Sequence, residues 1–324
     1  MSKKSDLIRT QIVSQLSNGE FCSGQALGEQ LGISRAAISK HIKCLMDLGL
    51  DIFSVTGRGY KLASALQLLN AEKITAFRHK ETSAAVNVFN VIDSTNQYLK
   101  NELANLDNGH ACLAEAQTAG RGRHGRQWVS PFGANLYLSM YWSFAGGYQS
   151  VGGLSLAVGV AVVSALKKIG IADVQLKWPN DIYAQGKKLA GVLIEAEGQM
   201  GGTCHCVLGI GLNISMPGSL VAIDQPWIDL AQITDELPDR NKLAAYLLDE
   251  LVLTLREFEQ SGLRPFVPHW QSLDLYRDKE VRLIMGQKCM FGICRGIDAS
   301  GALILETDSV RRTYYGGEIS VRPA

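Results

Sequence analysis

Nine consecutive residues, Gly120-Arg121-Gly122-Arg123-His124-Gly125-Arg126-Gln127-Trp128, combine three arginines with three glycines and contain no acidic residue. Glycine reaches positive φ angles and lets a backbone approach a ligand closely. Arginine offers a planar, permanently charged fork matched to phosphate and carboxylate. The stretch reads as a loop that folds around an anion, most naturally a phosphate compound. Further along stand Lys177, at the head of Lys-Trp-Pro-Asn-Asp181, and Lys188, at the head of Lys-Leu-Ala-Gly-Val-Leu-Ile-Glu195. Arg121, Arg123, Arg126, Lys177 and Lys188 with the single carboxylate Asp181 suit the joining of two anions, a reaction whose main barrier is charge repulsion. Asp181 is also a candidate for holding a Mg2+ ion that bridges phosphates.

Other chemistries find less support. There is no Gly-x-x-x-x-Gly-Lys-Ser/Thr run and no Gly-x-Gly-x-x-Gly run, so the common nucleotide-binding loops are absent. No Ser/His/Asp or Cys/His grouping stands out. Cys204-His205-Cys206 places its histidine on the face opposite both cysteines if the segment is a strand, which argues against a metal site. Asp93-Ser94-Thr95-Asn96 follows a strand-like run and precedes a helix that begins with Tyr98 and Leu99. Its hydroxyls and backbone N–H groups suit either a small polar ligand or an ordinary helix cap.

The elements that must position these residues follow from periodicity. Strands are expected over 86–92, 111–117, 135–142, 174–177, 187–195 and 206–213, with a turn at Gln185-Gly186 and a buried helix over 153–169. Alternation of this kind predicts an α+β domain built on a mixed sheet with helices against it. Residues 66–70 read as a linker into it.

Residues 1–64 are organised differently. Ile8, Ile12 and Leu16 share a helical face that stops at Asn18-Gly19. Ser23 caps a short helix bearing Leu27 and Leu31. Ser34 caps the next, in which Ile38, Ile42 and Leu45 point inward and Arg35, Ser39, Lys40 and Lys43 point out. Runs over 51–56 and 60–62, joined by Gly57-Arg58-Gly59, form a hairpin. The pattern predicts a winged helix-turn-helix. Its eight Lys and Arg against five Asp and Glu give +3, while the whole chain is +1. Ser23, Ser34, Arg35, Ser39, Lys40, Lys43 and Arg58 are the expected DNA contacts, and a specific operator calls for a dimer.

At 324 residues, with 46% hydrophobic and 19% charged residues, the chain has the makings of a globular protein of two or three domains. No run approaches the roughly 18 uninterrupted apolar residues of a membrane span, and the first residues lead into an amphipathic segment rather than a signal core. Seven scattered cysteines without a Cys-x-x-Cys pair predict a reducing, cytoplasmic setting.

Taken in order behind a winged helix, Gly-Arg-Gly-Arg-x-Gly-Arg-x-Trp128, Lys177-Trp-Pro-Asn-Asp181 and Lys188-Leu-Ala-Gly-Val-Leu-Ile-Glu195 resemble the biotin–protein ligases, and more narrowly the bifunctional form that is also the biotin operon repressor. The likeness includes Ser34-Arg-Ala-Ala-Ile-Ser-Lys-His41, Val91-Ile-Asp-Ser-Thr-Asn-Gln-Tyr98, Ser130-Pro-Phe-Gly-Ala-Asn-Leu-Tyr-Leu-Ser139 and Gly316-Gly-Glu-Ile-Ser320. It implies a winged helix over 1–65, a class II synthetase-like catalytic domain over 66–273 and an SH3-like β domain over 274–324, where short strands are expected at 281–284, 290–295, 302–306 and 311–315. The implied reaction joins biotin's carboxylate to the α-phosphorus of ATP and then passes biotin from biotinyl-5′-adenylate to a lysine of the biotin carboxyl carrier protein of acetyl-CoA carboxylase.

The same resemblance implies roles. Ser94, Thr95, Asn96, Gln117, Gly120, Arg121, Gly122, Arg123 and Lys188 would bind biotin, with Lys188 and Arg123 the catalytic pair. Arg126, Lys177, Asn180, Asp181, Asn213 and Trp227 would meet ATP or Mg2+. The adenylate would act as co-repressor by favouring a homodimer on operator DNA. Two departures stand out: His124 replaces an arginine common in close relatives, and residues 215–226 lack paired arginines, carrying Met216-Pro-Gly-Ser219 and Asp224 instead. A lipoate or octanoate ligase and a biotin sensor without catalysis are the competing readings.

Overall fold

The computed structural model describes residues 3–63, 66–198, 201–217, 223, 225–317 and 319–324. Within the segment 215–226, Ser219 and Asp224 therefore lie outside the described residues, as does Glu318 of the C-terminal motif.

The chain opens with three helices, α1 (Lys3–Leu16), α2 (Gly24–Leu31) and α3 (Arg35–Asp47), and the hairpin β1 (Ile52–Val55) and β2 (Gly59–Leu62). Ser23 Oγ accepts from Ala26 N at 3.0 Å and Ser34 Oγ from Ala37 N at 3.2 Å, so both serines begin their helices as expected. Ile12, Leu16, Leu27, Ile38, Ile42 and Leu45 form the buried core, which leaves Arg35, Ser39, Lys40 and Lys43 on the open face of α3. Arg58 at the wing tip lies 4.2 Å over the Phe21 ring, a cation–π contact that holds the guanidinium in place.

The central domain contains α4 (Ala71–Phe77), β3 (Val86–Ile92), α5 (Thr95–Asn101), β4 (Ala111–Gln117), β5 (Asn135–Phe144), α6 (Leu154–Lys168), β6 (Gln175–Lys177), β7 (Asp181–Ala184), β8 (Lys187–Gly198), β9 (Cys204–Asn213), α7 (Arg240–Ser261) and α8 (Val267–Leu273). Seven strands run in the order β3-β4-β5-β9-β8-β7-β6; β3 and β4 are parallel and the other neighbours antiparallel. The sheet is thus mixed, as expected. Gly147–Lys168 is long and apolar enough to cross a membrane by length and composition, but α6 lies in the core with Leu156, Val158, Val162 and Leu166 buried against the sheet.

Several elements exceed the expectation. Helices α4, α7 and α8 and strand β7 were not expected, and α5 begins at Thr95 rather than at Tyr98. Cys204 and Cys206 are buried with their sulfurs 3.9 Å apart, while His205 faces the other way and bonds the Tyr141 hydroxyl at 2.7 Å; no cluster of three or more His, Cys, Asp or Glu side chains placed to hold a metal occurs among the described residues.

The C-terminal part is a five-stranded antiparallel sheet ordered β13-β12-β11-β10-β14, from β10 (Glu280–Met285), β11 (Lys288–Ile297), β12 (Leu303–Thr307), β13 (Val310–Tyr314) and β14 (Ile319–Pro323). The last of these was not expected.

Residues 66–70 are a clamped strap rather than a free linker. Arg240 at the start of α7 donates to Gln67 O at 2.8 Å and Asn135 O at 2.7 Å, and pairs with Glu115 of β4 at 2.9 Å. Glu115 accepts from Leu69 N at 2.5 Å, and Asn241 accepts from Asn70 N at 2.8 Å. Glu115 is wholly buried, and Arg240 is its ion-pair partner. Removing one partner of a buried pair leaves the other uncompensated. Glu115→Ala is expected to lower unfolding stability by about 3–5 kcal/mol, and Glu115→Leu with Arg240→Met to recover only part of it, because Leu69 N, Gln67 O and Asn135 O lose their partners. Denaturant midpoints check both.

Candidate active site

A cavity of about 420 Å³ opens where the sheet meets the C-terminal domain. The start of α5, the end of β4, the segment 121–128, the turn 178–181 and strands β8 and β9 supply most of its wall. Ile284, Gly286 and 319–322 close one side.

The glycine-arginine segment is a small hairpin. Trp128 N donates to Gly120 O at 2.9 Å and Gly122 N to Arg126 O at 2.7 Å, while Arg126 N reaches Arg123 O at 3.2 Å across the tip. The two central tip residues, His124 and Gly125, have φ of 57° and 71°, the primed-turn geometry that suits a tight hairpin. The position of the expected fourth arginine is thus a left-handed turn position.

Trp128 folds back from the hairpin onto bare sheet. A Cβ at Gly211 would lie 2.3 Å from the indole Cε2, and one at Gly191 would lie 3.1 Å from its Cζ3. Lys188 Nζ sits 5.2 Å from the ring centroid on the same floor. Gly209 makes similar room for a different side chain, since a Cβ there would lie 2.3 Å from Asn96 Oδ1.

Beyond the indole the cavity is cationic. Lys188 Nζ is 2.8 Å from Asp181 Oδ1, the only carboxylate on the described lining. Arg123 donates to Asn180 Oδ1 at 2.9 Å and to Gly317 O of the C-terminal domain at 2.6 Å. Burial pulls the Arg123 guanidinium below its ordinary range, opposed by Asp181 and reinforced by Arg126. Lys177 is buried and donates to the Tyr183 hydroxyl at 2.9 Å. Burial and then the charge of Arg322 bring its ammonium down to about 8. Arg322, which no motif marked, is a further cation on this wall.

The opposite end is polar and neutral. Gln117 Oε1 accepts from Thr95 N at 2.9 Å and from Thr95 Oγ1 at 3.2 Å, while Gln117 Nε2 donates to Ser130 Oγ at 3.1 Å. Ser94 does cap α5, its Oγ accepting from Gln97 N at 3.4 Å, so the cap and the cavity wall are one structure. At the rim, Glu195 gathers Arg121 Nη2 at 2.9 Å, Asn96 Nδ2 at 2.9 Å and Lys100 Nζ at 3.3 Å.

The structure therefore brings Ser94, Thr95, Asn96, Gln117, Arg121, Gly122, Arg123, Arg126, Lys177, Asn180, Asp181 and Lys188 to one cavity. Gly120, Asn213 and Trp227 stand just outside its lining. Gly120 closes the hairpin base. Trp227 pairs as an isolated strand residue with Lys188, and Asn213 donates to Ile228 O at 3.0 Å. Sequence reasoning missed Glu195, Ser139 and Arg322 as site components. Ser139 and Glu195 did lie within quoted motifs.

Comparison with known proteins bears on what this cavity is. Residues 88–213 match the biotin/lipoate A/B protein ligase family, 8–61 an HTH domain and 278–322 the biotin protein ligase C-terminal domain. The bifunctional ligase/repressor BirA of Escherichia coli (strain K12) is 48% identical over 322 residues, 99% of each chain. The chain belongs to the bifunctional biotin ligase/repressor family. A biotin–[acetyl-CoA-carboxylase] ligase of Mycobacterium tuberculosis is 36% identical over 67% of this chain and 80% of its own. The structure of an Aquifex aeolicus biotin protein ligase in complex with biotin and ATP superposes with a TM-score of 0.66 at 30% identity, covering 75% of this chain and all of that one. The ligase/repressor fold thus accounts for all three parts of the molecule.

Lys177 carries a pH test. A lysine brought down to about 8 is cationic below that pH and neutral above it. Inorganic pyrophosphate is expected to bind more weakly as pH rises from 7 to 9, on the order of tenfold beyond the change seen in Lys177→Met. Calorimetry at the two pH values checks this, and equal pH dependence in both proteins would count against a titrating Lys177.

Proposed function

We propose that this chain activates biotin with ATP, transfers it to a lysine of the biotin carboxyl carrier protein of acetyl-CoA carboxylase, and represses biotin-synthesis genes with the activated intermediate as co-repressor. The observation that carries the reading is the division of one cavity into a neutral hydrogen-bonding end, at Thr95 and Gln117, and a cationic end, at Lys188, Lys177 and Arg123. Biotin has the same division, a neutral ureido ring joined through an apolar chain to a carboxylate.

In the first step a biotin carboxylate oxygen attacks the α-phosphorus of ATP, the bond to the β,γ-phosphates breaks, and pyrophosphate leaves. Lys188 holds the approaching carboxylate and phosphate oxygens together by offsetting their repulsion. Arg123 retains the adenylate phosphate, and the hairpin residues Gly120, Arg121 and Gly122 cover the ureido end with Ser94 and Asn96. Arg126, Lys177 and Asn180 bind the ATP phosphates. Trp227 covers the adenine, while Asn213 secures the 226–228 segment behind it. In the second step the acceptor lysine amine attacks the acyl carbon and AMP leaves.

A Mg2+ ion fits this donor set, since magnesium is held by one or two carboxylates together with substrate phosphates and water. Asp181, with Asn180 beside it, would hold the ion, which would neutralise phosphate charge. The seven free cysteines suit a reducing cytoplasm.

Repression rests on Arg35, Ser39, Lys40 and Lys43 along the open face of α3, Arg58 on the wing, and the Ser23 and Ser34 hydroxyls at helix starts. Adenylate binding favours a homodimer that places two winged helices on a two-fold operator.

Two experiments test the reading. Calorimetry should show biotin binding with lipoate as the non-binding control, and Lys188→Ala should reduce biotin-dependent pyrophosphate release by about 100- to 1,000-fold. Preference for lipoate would sink the ligase assignment. In gel shifts, biotin plus ATP should strengthen operator binding, and Lys40→Ala with Lys43→Ala should flatten the log–log salt dependence by about two. An unchanged salt slope would remove these lysines from the DNA interface.

A further inference from the structure

Behind the neutral end of the cavity lies a short chain of polar groups whose hydrogens do not suffice for its contacts. Ser139 of β5 is fully buried and does not line the cavity. Its Oγ is 2.7 Å from Thr95 Oγ1 and 2.5 Å from Asn96 Oδ1. Thr95 Oγ1 is also 3.2 Å from Gln117 Oε1. These three contacts share two hydroxyl hydrogens, one from Ser139 and one from Thr95.

The orientation of both amides is fixed from outside. Gln117 must present its oxygen to Thr95 because the Thr95 backbone N–H donates to it at 2.9 Å. Asn96 must present its oxygen to Ser139 because its Nδ2 donates to the Glu195 carboxylate at 2.9 Å. Gly209 stands opposite Ser139 across the β5–β9 ladder and leaves the space that Asn96 fills. Ser139 gives its hydrogen to Asn96 Oδ1 or to Thr95 Oγ1, and Thr95 gives its own to Gln117 Oε1 or to Ser139 Oγ, so in each arrangement the Thr95 hydrogen is used within the chain. Thr95 lines the cavity, and its Oγ1 keeps a lone pair while having no hydrogen to give.

We propose that Ser139, held in register by Asn96 and Glu195, is a positioning residue that fixes Thr95 as a hydrogen-bond acceptor and so selects ligands carrying an N–H at this end of the cavity. The inference rests on the biotin reading above and deepens it. A ureido ring offers N–H donors; the dithiolane of lipoate offers none, and a ring presenting only acceptors would meet lone pair against lone pair. Ser139→Ala leaves Asn96 Oδ1 short of a donor and lets the Thr95 hydroxyl turn, so the preference is lost although no group touching the ligand has changed.

The test is biotin and ATP binding to the full chain, wild type against Ser139→Ala, with thermal melts to verify folding. Biotin affinity should fall about tenfold, the consequence expected of one buried acceptor left without its donor, while ATP affinity stays within about twofold. Desthiobiotin, which keeps the ureido group, should lose the same factor. Ser139→Cys, which keeps the volume and a weak donor, should fall between. Because Ser139 acts through Thr95, Thr95→Val combined with Ser139→Ala should bind biotin no more weakly than Thr95→Val alone. Additive losses, or equal losses for ATP and biotin, would overturn the proposal while leaving the function intact. Failure of the wild-type protein to bind biotin would remove the function and this proposal with it.

Discussion

The constraint on which the rest of the structure depends is the gathering of Arg121, Arg123, Arg126, Lys177, Lys188 and Arg322 around one cavity with Asp181 as the only described lining carboxylate. Like charges in a partly desolvated space repel, and the cost is visible in Lys177 and Arg123, both pulled below their ordinary ranges by burial. The fold offsets the repulsion by separating the charges onto different elements. Lys177 ends β6, Lys188 begins β8, Arg123 tips the hairpin and Arg322 comes from the C-terminal sheet. The first three are each held by a neutral or acidic partner, Tyr183, Asp181 and Asn180 in turn. The C-terminal domain is therefore part of the cavity, supplying both a cation and the Gly317 carbonyl that anchors Arg123.

What was legible in the sequence is what local chemistry decides. Ser23, Ser34 and Ser94 cap their helices because a hydroxyl before a helix finds an N–H three residues on, whatever the tertiary context. The strand 111–117 was legible to the residue from its apolar run and the glycines after it. Most of the cavity was legible through the motifs, since the start of α5, the loop after β4, the turn before β7 and the start of β8 all face the same opening.

What was not legible depends on partners far away in the chain. α7 carries a readable apolar stripe in Leu243, Leu247, Leu251, Leu255 and Phe258, yet nothing local shows that Arg240 and Asn241 at its start bind residues 67–70. Ser139 looks like any small strand residue until β5 is set beside β9 and Asn96 is found over Gly209. Glu195 ends a motif, but its bonds run to Asn96, Lys100 and Arg121 on two other elements. The glycines of the arginine loop also serve differently from the expectation. Only Gly125 among them has positive φ, and it shares the tip with His124.

The hairpin that bears this loop is a junction of all three parts of the molecule. Its tip is tied through Arg123 to the central turn at Asn180 and to Gly317 of the C-terminal sheet. Its trailing end runs through Ser130, whose Oγ accepts from Gln117, into Pro131 and Phe132. Phe132 N donates to Leu48 O at 2.9 Å, and Phe132 and Ala116 are buried in the same core as Ile12, Leu45 and Leu50 of the winged helix. Gln117, at the neutral end of the cavity, is thus one residue from a side chain in the DNA-binding domain's core. The neutral end of the cavity and the seat of the winged helix are therefore joined through adjacent residues of one strand. By linkage, if a ligand at that end stabilises the seat, stabilising the seat favours that ligand to the same degree. The residues on either side of the hairpin, Ala116 before it and Phe132 after it, are thus packed in the core of the winged helix.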